Sequence, residues 1–211
     1  MTQTQTVYAD TALIVVDVQP DFLPGGALPC HDGAAILAGI AAAMASVRYA
    51  AIVATQDWHP AHHRSFASQH SGHRPLTEIK WHGQRQMLWP DHCVQGSPGA
   101  QLHPQLNWDH AHLILRKGMD PDVDSYSGFR DNIGAGGQRK LTGLSGWLRE
   151  RNIARVHVCG LARDYCVLWT AQDAVAAGFR VDCLWDLTRP VTPASDPATR
   201  RLYCEHGITV I

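Results

Sequence analysis

The chain predicts an α/β fold, a single domain over residues 1–211 with a mainly parallel sheet covered by helices on both faces. Three observations lead there. Short β-branched apolar runs recur along the chain, at 11–16 (TALIVV), 50–55 (AAIVAT), 112–116 (HLILR) and 155–159. Segments of helical period or long crossovers separate them, which a parallel sheet requires and an antiparallel meander does not. With 211 residues and 45% hydrophobic content, the chain can bury one sizeable core.

The first run, 11–16, is continuous rather than alternating, as in a strand buried on both faces, and it stops at Asp17. Residues 19–29 (QPDFLPGGALP) hold prolines and glycines that exclude a helix or a central strand, so they form a loop. Over 32–47, Ile36, Leu37, Ile40, Met44 and Val47 recur at helical spacing among alanines, predicting the first crossover helix. The second strand, 50–55, runs into Gln56, Asp57, Trp58 and His59. From 60 to 106 the chain is rich in Pro, Gly, His and Trp without a sustained period, which predicts a long irregular excursion with short helical turns. Excursions of that length inside a domain are usually functional.

The third strand, 112–116, leads into Lys117 and Gly118, and 120–137 is again turn-rich. Leu141, Leu144, Trp147 and Leu148 mark an amphipathic helix ending near Arg151. Strand four follows at 155–159, helix three at 164–177 and strand five at 179–184. A last helix at 193–206 and a last strand at 208–211 close the chain. In such sheets ligands gather beyond the carboxyl ends of the strands, where strand order reverses. Asp17, Asp57, Lys117 and the 160–166 turn all follow strand ends, so one crevice could hold them together.

Composition narrows the partners. Lys+Arg 18 against Asp+Glu 19 gives a net charge of -1, so no global field recruits nucleic acid or an anionic membrane. A small neutral ligand is compatible with that balance. No apolar stretch approaches the about 20 residues that cross a bilayer. The six cysteines lack CxxC spacing and MTQTQTVYAD lacks the layout of a signal peptide, so a cytoplasmic protein is expected.

Two groups of residues carry chemistry. In VHVCGLARDYCV an apolar run breaks at a glycine and Cys166 falls in the first turn of a helical pattern, where the unpaired N–H groups favour a thiolate. Most free cysteines are merely small buried hydrophobes. What singles out Cys166 is its placement with Asp17, a proton acceptor, and Lys117, a cation, at neighbouring strand ends. The second group is Asp57 and His59, an Asp-x-His pair on one side of an extended segment, completed by a distant imidazole. His92 is one candidate, but by spacing alone His62, His63, His70, His73 and His82 compete with it.

The stretches TALIVVDVQPDFLPGGAL, TQDWHPAHHRSFASQH, LWPDHCVQGSPGAQLHP, LRKGMDPDVDSYSGFRDN and VCGLARDYCVLWTAQDA, taken in order, resemble the nicotinamidases of the isochorismatase-like cysteine hydrolases. The resemblance implies a six-stranded parallel sheet, a catalytic triad of Cys166, Asp17 and Lys117, and one divalent metal on Asp57, His59 and His92. Zn2+ is the expected ion, with Fe2+ and Mn2+ as alternatives accepting the same donors. It further implies a cis peptide at Leu161-Ala162, an oxyanion hole from the backbone of Ala162 and Cys166, and substrate contacts from Phe22, Trp89 and Tyr126. The substrate would be nicotinamide, and a homo-oligomer is compatible with the family.

Arg163 departs from the family pattern, where small or hydroxyl side chains are common, and is expected either to face solvent or to shape the pocket rim. His63 and Ser65 are left outside the ligand set. A sister hydrolase acting on an N-carbamoyl or ureido compound could use the same triad, but it has little use for a ring-binding metal. A non-catalytic module on the same fold would not need all three triad residue types.

Overall fold

A computed structural model describes residues 8–46 and 48–211. Six strands form one parallel sheet in the order β5-β2-β1-β6-β7-β8: β1 (Tyr8–Val16), β2 (Tyr49–Asp57), β5 (Leu113–Lys117), β6 (Arg155–Leu161), β7 (Arg180–Arg189) and β8 (Thr209–Val210). Strand order reverses between β1 and β6, because the chain builds outward from β1 on one side and from β6 on the other. Side chains alternate across β1, so Ala12, Ile14 and Val16 enter one core while Leu13 and Val15 enter the other. The first core packs against α2 (Leu144–Arg149), α3 (Leu168–Ala176) and α4 (Asp196–Glu205) through Leu148, Leu168, Ala171 and Tyr203. The second packs against α1 (Leu37–Ala45) through Ile40 and Met44, and against the loops carrying Phe22 and Trp89.

Boundaries differ from the sequence reading for local reasons. The first helical segment begins as a tight turn at Gly33–Ile36 before α1, and Val47, placed at its end, lies outside the described residues, as do residues 1–7. α2 starts only at Leu144, because Gly143 takes a left-handed φ of 92°. The last helix likewise opens as a tight turn at Pro193–Ser195. β7 runs on to Arg189, past an irregularity in its pairing with β6 between Val158 and Gly160.

The excursion over 60–106 is not wholly irregular. β3 (Thr77–Trp81) and β4 (Gln84–Leu88) form an antiparallel hairpin closed by His82 and Gly83, both at positive φ, the geometry of a two-residue hairpin turn. Its residues are mostly exposed and polar, so it lacks the buried apolar run that marks the central strands. The excursion is pinched shut at its base, where Trp89 N–H donates to Ser65 O (2.8 Å) and Ala67 N–H to Trp89 O (2.8 Å).

Gly160 is forced by the close approach of β6 to β1. It lies beside Val16 with φ 107°, and a Cβ there would sit 2.1 Å from the Val16 carbonyl oxygen. Gly160→Ala is therefore expected to cost roughly 2–4 kcal/mol, measured as a lower midpoint in chemical denaturation.

Candidate active site

The carboxyl ends of β1, β2, β5 and β6 deliver Asp17, Asp57, Lys117 and the Cys166 turn to one crevice. Asp17 takes a left-handed φ of 47°, a conformation aspartate tolerates better than most residues, and so turns the chain out of β1. Its Oδ1 accepts a 2.6 Å hydrogen bond from the Thr55 hydroxyl, which in turn accepts one from Asp17 N–H. Asp57 and Lys117 are register partners on β2 and β5.

The fully buried Lys117 ammonium is the hub. Nζ donates to Asp57 Oδ1 (2.6 Å) and to Ser125 O (2.8 Å), lies 2.9 Å from Asp17 Oδ2, and reaches the Cys166 sulfur at 3.6 Å. Asp17 Oδ2 has no well-directed hydrogen-bond partner among the described residues, and oxygens of Asp17 and Asp57 stand within 4.8 Å of the sulfur. A lone pair thus remains for the thiol proton.

Burial pushes the Asp17 carboxyl upward; Lys117 opposes this without cancelling it, and Asp57 adds to it. Burial would also raise Asp57, but Lys117 and His59 outweigh it and hold that carboxyl well below the usual carboxylate range. Burial disfavours the Lys117 ammonium, yet the two carboxylates keep it charged well beyond the ordinary lysine value.

Cys166 corrects the sequence expectation. It lies not in the first turn of a regular α-helix but in a π-type turn, Arg163–Val167, where the N–H groups of Tyr165 and Val167 both return to Ala162 O. Burial raises its thiol well above the free value; Lys117 lowers it, while Asp17 and Asp57 raise it further. The sulfur rests as a thiol and needs a base, which Asp17 is placed to be. The Leu161-Ala162 peptide is cis, and Ala162 and Cys166 border the same pocket.

The second group meets the first through Asp57. His59 Nε2 and His92 Nε2 lie 3.3 and 3.7 Å from Asp57 Oδ2, and one donor atom from each residue falls within 4.8 Å of the others. Each imidazole directs Nδ1 to a carbonyl at 2.8 Å, His59 to Gly118 O and His92 to Pro90 O. With Nδ1 donating, Nε2 carries its lone pair toward Asp57, the tautomer a metal ligand needs. Gly118, at φ 67°, is required here because a Cβ would sit 2.3 Å from the His59 ring. The donor set thus fits a divalent cation of zinc type with positions left for other ligands.

The competing histidines fall away. His70 and His82 engage Arg64 O and Asp122 O, and His62 and His73 join no ligand group among the described residues. His63 lies against His59 with its ring tilted by 47°, and forms with it and Asp124 a neighbouring donor set. Its two nitrogens, however, face Ser65 Oγ (2.7 Å) and Val123 O (3.3 Å), and burial pushes its pKa down to about 4.

A small cavity opens beside the two groups, bordered by Cys166, Asp57 and His92. Phe22, Trp89 and Tyr126, the residues the family resemblance points to, line it together with Leu28, Tyr165 and Val191. Trp89 Nε1–H donates to the Tyr126 hydroxyl at 3.1 Å, which fixes two walls against each other. Sequence reasoning missed the supports. The buried Gln19 amide clamps the Asp57 backbone in both directions, at 2.7 and 2.9 Å, and also donates to Ala100 O. Thr55, Ser125 and Asp124 were equally invisible, since their partners are set by folding. Arg163 is neither solvent-facing nor on the pocket rim; it is 4% exposed and points away from the cavity into β7 and α4.

A buried sulfur, its acid and its ammonium at the reversal point of a six-stranded parallel sheet, beside a His-His-Asp face, define a hydrolase of one kind, and the chain belongs to the isochorismatase family, whose domain model matches residues 11–199. Among its relatives, the nicotinamidase of Escherichia coli (strain K12) is 47% identical over 182 residues, 85% of this chain and 83% of that protein. A nicotinamidase and pyrazinamidase from Acinetobacter baumanii superposes with a TM-score of 0.89 at 40% identity, covering 96% of each chain. The pyrazinamidase of Pyrococcus horikoshii, solved in complex with zinc, superposes with a TM-score of 0.77 at 35% identity, covering 96% of this chain and 98% of that one.

Asp57 draws the His59 proton affinity up against the effect of burial, so protons compete for the ligand nitrogen at higher pH than for a free imidazole. Zinc titrated against a chelator is expected to bind at one equivalent and to weaken as pH falls through neutrality. His59→Ala should lower the bound metal to well under one equivalent.

Proposed function

We propose that this chain hydrolyses nicotinamide to nicotinate and ammonia through a thioester on Cys166, and accepts pyrazinamide as a ring analogue. The observation that carries this reading is that one cavity is lined by Cys166, by Asp57 and His92, and by the aromatic side chains of Phe22, Trp89, Tyr126 and Tyr165. A flat heteroaromatic ring with a carboxamide substituent matches that lining. Asp57, His59 and His92 would hold a divalent ion, zinc by preference, which would supply Lewis acidity toward a ring donor of the substrate.

The chain's own residues perform the acyl transfer. Asp17 takes the Cys166 proton while Lys117 stabilises the growing negative charge on sulfur, which attacks the carboxamide carbon. The backbone N–H groups of Ala162 and Cys166 receive the oxyanion. Asp17 then returns the proton to the nitrogen, so ammonia leaves and the thioester remains. Ionised again, Asp17 takes a proton from a water that attacks the acyl carbon, releasing nicotinate and restoring the thiol. Phe22, Trp89, Tyr126 and Tyr165 hold the ring in plane and exclude bulk water.

Among the described residues no helix is long and apolar enough to cross a membrane. All six cysteines are unpaired, which supports a reducing, cytoplasmic setting, and release of nicotinate from nicotinamide would place the chain in pyridine nucleotide salvage.

Cys166→Ala is expected to abolish ammonia release from nicotinamide while the protein keeps its metal, measured by a coupled ammonia assay beside elemental analysis. Asp17→Asn should reduce kcat by about 10²–10⁴. Undiminished turnover in either variant would refute the assignment.

A further inference from the structure

Arg163 and Asp164 open the turn that carries Cys166, and neither side chain faces the cavity. The Arg163 guanidinium is buried and uses its whole fork. Nε donates to Thr188 Oγ1 (2.8 Å), NH1 to Asp196 Oδ2 (2.7 Å), and NH2 to Thr188 O (2.6 Å) and Trp185 O (3.1 Å). Its plane lies 3.8 Å from the centre of the Trp185 ring, and Arg200 lies at the same distance from that ring. The Tyr203 hydroxyl of α4 donates to Arg163 O (3.1 Å). Asp164 extends the bracket: its carboxylate accepts from Val191 N–H (2.9 Å), Thr192 N–H (3.2 Å) and the Ser195 hydroxyl (2.9 Å).

We propose that Arg163 is a positioning residue, which bolts the nucleophile turn to the end of β7 and the start of α4 and so fixes the Cys166 sulfur relative to Asp17 and Lys117. The physical case rests on where Arg163 stands, since it opens the irregular π-type turn that carries Cys166 three residues on and leads into α3. Arg163 adds four directed bonds to three separate residues, two of them to backbone carbonyls that cannot rotate away. A displacement of about 1 Å at a reacting atom costs on the order of a hundredfold in rate, so a support of this kind belongs to catalysis as well as to stability. Because Asp196 neutralises the guanidinium, its contribution is orientation rather than charge at the sulfur. Asp164 independently holds Val191, a wall of the cavity, so the ring-binding side does not depend on Arg163.

This inference rests on the assignment of Cys166 as nucleophile, and the experiment separates the two. Steady-state nicotinamide hydrolysis is measured for the metal-loaded wild type, R163A, R163K and D196N, well below each variant's unfolding midpoint. R163A is expected to lose at least tenfold in kcat, with KM within about twofold and the pH profile of kcat/KM unmoved. R163K, which keeps the charge but lacks the planar fork, should recover only part of that loss. D196N, which exchanges the carboxylate under NH1 for a neutral amide and so weakens one arm at the partly exposed end, should fall severalfold in kcat and keeps the test available should R163A fail to fold. An active wild type together with undiminished kcat in R163A, or in D196N where R163A does not fold, overturns the positioning role. So does a loss confined to thermal stability, a shifted pH profile, or full rescue by lysine. An inactive wild type removes the function itself, and the inference with it.

Discussion

The buried ammonium of Lys117 is the interaction on which the rest of the site depends. A cation taken wholly out of water is stable only with close anionic partners and satisfied donors. Here Asp17, Asp57 and the Ser125 carbonyl meet that demand at 2.6–2.9 Å. Two carboxylates around one ammonium leave an excess negative charge in a dry pocket. The Asp57 carboxylate spends one oxygen on Lys117 and turns the other to His59 and His92, where a dication would offset that excess. The cluster around the Cys166 sulfur and the His-His-Asp face therefore share one carboxylate rather than merely lying side by side.

The sheet explains how residues so distant in sequence reach one ammonium. β1 is central, and the reversal of strand order beside it opens the crevice between its end and that of β6. Asp17 and the cysteine turn flank that opening, while the register of β2 and β5 sets Asp57 beside Lys117. Gly160 permits β6 to lie against Val16 just before Asp17, so a backbone contact brings the strand that leads to Cys166 against the strand that ends at Asp17.

The parts legible in the sequence were those with a local signal. Buried parallel strands announce themselves as unbroken apolar runs, as in 11–16, and polar residues at their ends stand out against them. The family resemblance then chose His92 from its competitors, a choice that spacing could not make, and in the folded chain His92 stands against Asp57 and His59. The failures have a common physical origin. Gln19 and Thr55 act through partners 38 or more residues away, so nothing around them in the chain marks them. The β3–β4 hairpin is polar on most sides and gives no apolar run, although His82-Gly83 was a usable turn signal. The helix start near Cys166 was legible, but the burial and the two carboxylates that raise its thiol come from residues distant in the chain. Arg163 shows the same blindness: a charged residue reads as surface until its fork is seen to be filled.

The pinched base of the 60–106 excursion has an evolutionary consequence. Ser65, Ala67 and Trp89 are stitched together, so the chain between them leaves and re-enters at one narrow neck, and beyond it the hairpin meets the body through Trp81, His82 and Gln86 at Asp122 and Asp124. Chain can be added or deleted beyond such a neck at little entropic cost, because loop closure depends only weakly on length. Descendants of this architecture are thus free to remodel the outer hairpin into new lids or contact surfaces, while the imidazoles on either side of the neck keep their places.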